Sequence, residues 1–449
     1  MNENLTLEIK YFGRIHYANI KLNKINVVGG INSSGKSTAS KLLYCFLKAN
    51  TPHRLDHVKK EAIPLMNTVI NVVANPTPFA DHGLKDKFSF DDDFNEILEE
   101  YNKAKEKFQD IKHLIEIDDV IEYDIMGYAD KLIKIIQDDG GKSSLKIVNS
   151  ILLNESLDVY KGITNFYGDD FRFSIINGSQ YFNKEMFFNA NQYSNSSFEH
   201  FPEVDGVYSS QGDFDDITDV FYVDSFSILD MKLENQRFRE HYQYVLNNLK
   251  DVNEDEDLDE DSLFVLEMIE GIIGGKFKRD LIEFSFSESN EDDYEYTSKS
   301  LTTPNKRKTD NFIMENTSSG IKQIGVIQLL IANNKLKPGT FLIIDEPEVN
   351  LHPNWQFKFA EILVLIAKEL DVVVYINSHS PTFIESIDAF SEFYDFGDSI
   401  NYYLTQESKT EGEFSFKSIK SNELYKIYNN LGDIYNEINQ LRLRKRLNR

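Results

Sequence analysis

At 449 residues, with 41% hydrophobic and 27% charged side chains, the chain can bury the cores of two or three domains, and no apolar run reaches the roughly 18 residues of a membrane span. The N-terminus, MNENLTLEIK, lacks the basic and apolar regions of a secretory signal, and a single cysteine, Cys45, excludes an internal disulfide or a multi-thiolate metal site, so the cytoplasm is the expected compartment. A formal charge of -26, from 48 basic against 74 acidic side chains, repels phosphate backbones, and a nucleic-acid partner would need a local basic patch.

In chain order, Leu5, Leu7 and Ile9 alternate with polar residues, Ile20 and Leu22 do so again, and Ile25 to Val28 form a short apolar run, so the chain opens on strands. Gly29 and Gly30 end that run. From Thr38 to Leu47, the apolar residues Leu42, Leu43, Phe46 and Leu47 fall at helical spacing, which predicts a strand, a glycine loop and a helix in succession. Between 51 and 215 the texture changes. Asp91 to Gln109 reads as helix, while Phe166 to Phe201 is rich in Asn, Ser and aromatics without a period, which predicts an inserted, mainly helical domain without a coiled-coil arm. Val220 to Val223 predicts the strand that returns to the first domain.

The stretch Asp251 to Asp261 carries too many like charges to pack and reads as a solvated loop, with a cation site or a nucleic-acid mimic as alternatives. Phe277 to Phe286 predicts sheet. Phe341 to Ile344 and Val372 to Ile376 predict buried strands separated by a helix from Pro353, with Trp355, Phe359, Leu363, Ile366, Ala367 and Leu370 on one face. This alternation predicts an α/β fold with a mainly parallel sheet covered by helices.

Four motifs carry chemistry. Gly30-Ile31-Asn32-Ser33-Ser34-Gly35-Lys36-Ser37 matches the G-x-x-x-x-G-K-[ST] phosphate loop between a strand and a helix. There the backbone N–H groups of Gly30, Asn32, Ser33, Ser34, Gly35 and Thr38 can wrap phosphates, Lys36 adds a point charge, and the Ser37 hydroxyl can ligate Mg2+. A glycine turn before a core helix is the alternative. The second motif, Phe341 to Pro347, is an apolar strand delivering Asp345 and Glu346 at its carboxyl end. Asp345 suits magnesium held through water, and Glu346 suits the base that polarises the attacking water. The third, Asn377 to Pro381, follows the next strand, so that His379 can meet a γ-phosphate or the attacking water. The fourth, Thr317 to Gln323, puts hydroxyls and a glycine before a helix, which is either a second anion site or a plain N-cap. Together the first two predict binding and hydrolysis of ATP with Mg2+.

In this order, the phosphate loop, the Ser-Gly signature, Asp-Glu-Pro, Asn-Leu-His-Pro and Ser-His-Ser-Pro resemble the ABC-type P-loop ATPases of the SMC and OLD group over roughly residues 1–50 and 215–430. The resemblance implies an ATPase domain in two parts, 1–50 and 216–430, around the inserted domain 51–215, with a basic tail at 431–449. It implies a head-to-tail homodimer sandwiching two ATPs, in which Ser319 and Gly320 of one subunit touch the γ-phosphate held by Lys36 of the other. It makes Glu346 the catalytic base, Asp345 and Ser37 the magnesium ligands and His379 the γ-phosphate sensor. Ile321 and Lys322 depart from the glycine and glutamine of many transport ATPases, and no Q-loop glutamine can be placed. The wording SSGIKQ, DEPEVNLHP and INSHSPTFIES is most similar to stand-alone ATPases of bacterial antiphage systems such as Septu and PARIS, which implies a separate effector, a nuclease or toxin. About seventy residues follow His379, too few for the roughly hundred-residue nuclease domain of OLD proteins proper, and Asp395 and Asp398 lack its D-x-D spacing.

The chain ends on Arg442, Arg444, Lys445, Arg446 and Arg449. This tail, like the smaller patch Lys306 to Lys308, could bind nucleic acid or an acidic face of the insert, or be a solvated helix end. Two other functions stay open: a scaffold that holds ATP with little turnover while storing a partner, and an SMC-like ATPase of DNA repair, which the acidic charge disfavours.

Overall fold

The computed structural model describes residues 5–48, 50–52, 55–74, 87–89, 92–111, 125–137, 172–177, 184–187, 217–224, 240–250, 258–279, 284–288, 311–313 and 319–427. The opening alternation forms β1 (Leu5–Phe12) and β2 (Ile15–Lys21), an antiparallel pair in which Leu7 faces Ile20 and Ile9 faces Ala18. All four of these side chains are buried. A half-buried strand keeps this register because a slip of one residue would turn every apolar side chain to water. The apolar run becomes β3 (Ile25–Gly29), buried at every position as a central parallel strand should be. The phosphate-loop sequence then leads into α1 (Lys36–Lys48), whose core positions include Leu42, Leu43, Phe46 and Leu47.

The stretch 51–215 supplies α2 (Asp56–Ala74), α3 (Phe94–Ile111) and α4 (Gly127–Gln137), but also β4 (Arg172–Asn177) and β5 (Lys184–Phe187). β4 pairs with β1 and β5 with β4, so this stretch lengthens the main sheet and is not helical throughout. Aromatic and Asn-rich sequence hid both strands, because neither shows the alternation of a half-buried strand. The chain returns through β6 (Asp219–Val223), then α5 (Glu240–Lys250) and α6 (Glu260–Ile273). Of the acidic run expected as a loop, 251–257 lie outside the described residues. Its last members are ordered, with Asp259 capping α6 by accepting from the Ser262 N–H and Glu260 and Asp261 in the first turn. Acids there oppose the positive end of the helix dipole, which favours helix over loop.

A separate antiparallel sheet follows, made of β7 (Gly275–Arg279), β8 (Phe284–Glu288) and β9 (Asn311–Ile313). Then come α7 (Ser319–Ala332), β10 (Thr340–Asp345), α8 (Pro353–Glu369), β11 (Val373–Ser378), α9 (Pro381–Phe393), β12 (Ile400–Glu407) and β13 (Phe414–Ile419). Pro353 and Pro381 each open a helix, where a missing N–H costs nothing. α8 is buried beyond the predicted stripe, at Ile362, Val364 and Leu365 as well, because it packs against both α6 and α9 as well as β11.

The main sheet has ten strands in the order β5-β4-β1-β2-β13-β12-β3-β11-β10-β6. From β12 to β6 all neighbours run parallel, and the strands from β5 to β2 form an antiparallel wing. Alternate residues of β10 divide between two cores: Phe341 and Ile343 join the side of α1 to α4, Leu342 and Ile344 the side of α5 to α9. The architecture is therefore a three-layer α/β fold of the P-loop NTPase type. Among the described residues no helix is long and apolar enough to cross a membrane.

Candidate nucleotide site

Parallel pairing brings three strand ends to one edge. Gly29 of β3 lies opposite Ser378 of β11, and Asn377 of β11 opposite Asp345 of β10. On the other side of β3, Gly29 lies opposite Leu404 of β12, which sets Thr405 beside the loop. Ligands of open parallel sheets bind outside these carboxyl ends.

The loop from Gly30 to Gly35 is built on positive φ angles, 149° at Gly30, 63° at Ser33 and 93° at Gly35. Glycine is demanded twice by space as well. A Cβ at Gly30 would stand 1.8 Å from Thr405 Oγ1, and one at Gly35 would stand 2.6 Å from Ile15 Cγ1. Asn32, Ser33 and Ser37 are exposed and Thr38 is half-buried, whereas Ser34 is buried, donates to Ile31 O at 2.8 Å and accepts from Thr405 Oγ1 at 2.9 Å. Arg14, in the turn between β1 and β2, donates to Ser33 O at 3.2 Å. Lys36 is 4% exposed, and its Nζ donates to Gly30 O at 2.9 Å and Ile31 O at 2.8 Å. Burial lowers the Lys36 ammonium below the ordinary lysine range, opposed by the carboxylates of Glu346, Asp345 and Glu348.

Asp345 shows the mirror image. Burial raises its carboxyl, hydrogen bonds from Ser37 and Asn377 oppose the rise, and the charges of Glu346 and Asp224 add to it. Asn377 Nδ2 reaches Asp345 Oδ1 at 3.0 Å and Ser40 Oγ at 2.9 Å, while the Tyr222 hydroxyl donates to Asp345 Oδ2 at 3.3 Å. Behind Tyr222, the buried His241 meets Asp224 at 3.1 Å. Burial alone would raise the Asp224 carboxyl, but the hydrogen bond and charge of His241 bring it below the usual range. An acid pushed up and a lysine pushed down at one edge of the sheet are two buried charges of opposite sign whose desolvation the surrounding groups offset only in part. An anion beside Lys36 and a divalent cation beside Asp345 and the Ser37 hydroxyl would meet both needs, and the oxygen donors present suit Mg2+.

Glu346 turns away from the strand at φ 52°, a conformation that costs a non-glycine residue about 1 kcal/mol. Its N–H donates to Asn377 O at 2.9 Å, which fastens the kink. Its Oε1 stands 3.7 Å from His379 Nδ1. Lys36, Ser37, Asp345, Glu346 and His379, predicted from segments hundreds of residues apart, thus share one edge of the sheet. Ser319 and Gly320 open α7, which packs against α5, α6 and β7. Thr317 and Ser318, the Lys306 to Lys308 patch and the tail 431–449 lie outside the described residues.

Among the participants that escaped the sequence reading are Glu348, Tyr222, Ser40 and Thr405. Glu348 is 5% exposed and its Oε1 accepts from Ser378 Oγ at 2.8 Å and from the N–H groups of His379 at 2.7 Å and Ser380 at 3.0 Å. A carboxylate between Pro347 and Val349 was a usable signal. Nothing in sequence marks Tyr222 or Thr405, whose relevance depends on which strands are neighbours.

A family model of the AAA ATPase domain matches residues 5–384. No curated protein matches the chain. Among solved structures, the SMC head domain from Thermotoga maritima is similar at a TM-score of 0.40 and 11% identity, over 93% of this chain and 99% of that one. An SmcHead bound to the C-winged helix domain of ScpA follows at 0.36 and 12%, over 94% and 99%. The Smc head domain with an extended coiled coil, bound to the C-terminal domain of ScpA and derived from Pyrococcus furiosus, stands at 0.34 and 11%, over 95% and 99%. Likeness at these scores carries no weight for activity or partners, but the family match runs over most of the sequence and takes in the phosphate loop, Asp345, Glu346 and His379. On that match and this geometry, the chain belongs to the AAA ATPase domain family.

Proposed function

We propose that the chain binds ATP with Mg2+ at the loop from Gly30 to Thr38 and hydrolyses it. One observation carries this reading: the pairing of β3, β11 and β10 sets the phosphate loop, His379 and the Asp345–Glu346 pair side by side. The backbone N–H groups of Asn32, Ser33, Ser34 and Gly35 line the cradle, and Lys36 exchanges its two carbonyl partners for phosphate oxygens. Ser37 and Asp345 would hold the magnesium ion, which when bound neutralises phosphate charge. Glu346 accepts the proton of the attacking water, and His379 steadies the terminal phosphate.

The finer reading is a head-to-tail homodimer in which Ser319 and Gly320 complete the partner's site. Its support is the resemblance of the signature and the exposed apolar residues on the site's rim, Ile31 and Val349. The motif wording further supports a separate effector, a nuclease or toxin, controlled by the nucleotide state in defence against phage.

Phosphate release by the purified protein, with Lys36→Ala and Glu346→Gln beside it, tests the chemistry. Loss of turnover in both, with ATP still bound by Glu346→Gln, is the expected result. Undiminished turnover in both would remove the assignment.

A further inference from the structure

Glu348 lies three residues beyond Asp345, in the turn that β10 extends toward the start of α9. Its side chain is 3% exposed, and its Oε1 gathers the Ser378 hydroxyl and two successive backbone N–H groups, those of His379 and Ser380. The same oxygen stands 3.1 Å from His379 Nδ1, nearer than the 3.7 Å that separates this nitrogen from Glu346 Oε1. The other oxygen, Oε2, is buried with no hydrogen-bond partner among the described residues. Burying a half-satisfied carboxylate destabilises a fold, and native chains keep such groups where a site requires them.

The carboxylates around Nδ1 bear on which imidazole nitrogen carries the proton. An unprotonated Nδ1 would place a lone pair within 3.1 Å of an anionic oxygen, and that electrostatic repulsion favours Nδ1–H. Two carboxylates stand near this nitrogen. Glu348 is both the closer and the more firmly held, since three other donors fix its oxygen. Glu346 is then left to the attacking water.

We propose that Glu348 is a positioning residue that clamps the turn 378–380, keeps the proton of His379 on Nδ1 and holds the ring away from Glu346. Nε2 is thereby the nitrogen available to the reacting phosphate. This role rests on the ATP-hydrolysing reading above, but the placement of the proton can be read without turnover.

The experiment is nitrogen-15 NMR of the histidine-labelled full chain at alkaline pH, with the His379 signal assigned by its absence in His379→Gln. The wild type is expected to show the Nδ1–H tautomer, and Glu348→Gln to move it toward Nε2–H. In the same variant kcat for ATP is expected to fall about tenfold to hundredfold with the affinity for Mg-ATP retained. An Nε2–H tautomer in the wild type overturns the assignment even if Glu348→Gln does not fold. So does a folded Glu348→Gln with tautomer and kcat unchanged. A wild type that shows Nδ1–H yet releases no phosphate would sink the hydrolase reading and leave the clamp standing.

Discussion

The two halves of the main sheet solve different problems with similar apolar sequences. In the parallel half, from β12 to β6, each strand ends in a residue of the site at a common edge: Thr405, His379, Glu346 and Asp224, and Gly30 at the start of the phosphate loop. In the antiparallel wing, β1 and β2 bury Leu7, Ile9, Ala18 and Ile20, and neighbouring ends point in opposite directions. Parallel strands collect chemistry because all their ends meet on one side, whereas antiparallel ends are shared between two. The wing touches the site mainly through its turn, by Ile15 against Gly35 and Arg14 on Ser33.

If that division is right, substitutions in the two halves should separate catalysis from stability. The largest effect is expected at Glu346→Gln, where steady-state phosphate release should fall by about 10²- to 10⁴-fold with the denaturation midpoint unmoved. In the wing, Ile9→Ala should do the reverse. It should lower unfolding free energy by about 2–4 kcal/mol in urea titration, while kcat per folded molecule holds. A large loss of kcat there would erase the distinction.

Lys36→Ala should weaken Mg-ATP binding by about tenfold to hundredfold in calorimetry, the share of a charge-assisted hydrogen bond to phosphate. The smallest effect is also the most particular. Asp345→Asn removes a carboxyl that burial disfavours and keeps partners for both its positions in Asn377, Tyr222 and Ser37. The nucleotide-free, magnesium-free protein should therefore melt a few degrees higher, while the stabilisation that Mg-ATP confers is lost. A lower melting point in the absence of ligand would show that Asp345 supports the fold itself.

Much of the fold was legible because its signals are local. The phosphate loop is eight consecutive residues with a strand before and a helix after, and the apolar runs at 25–28, 341–344 and 372–376 became buried parallel strands. β4 and β5 were not legible, since β1, the strand on which β4 pairs and through which both join the sheet, lies more than 160 residues away and their own pattern is irregular. Asp259 to Asp261 misled for a related reason: like charges suggest solvent, yet three acids at a helix start are stabilised by its dipole.

The candidate site divides the same way. Residue identity and spacing single out Lys36, Ser37, Asp345, Glu346 and His379 as candidates, because phosphate and magnesium chemistry would call for those types at a helix start and at strand ends. What brings them within reach of each other is the strand order β12-β3-β11-β10-β6, a set of long-range pairings on which no short stretch of chain carries information. The supporting contacts follow from it. Tyr222 can hold Asp345, Thr405 can press on Gly30, and Glu348 can grip the His379 turn only once those strands lie side by side, since hydrogen bonds act over about 3 Å.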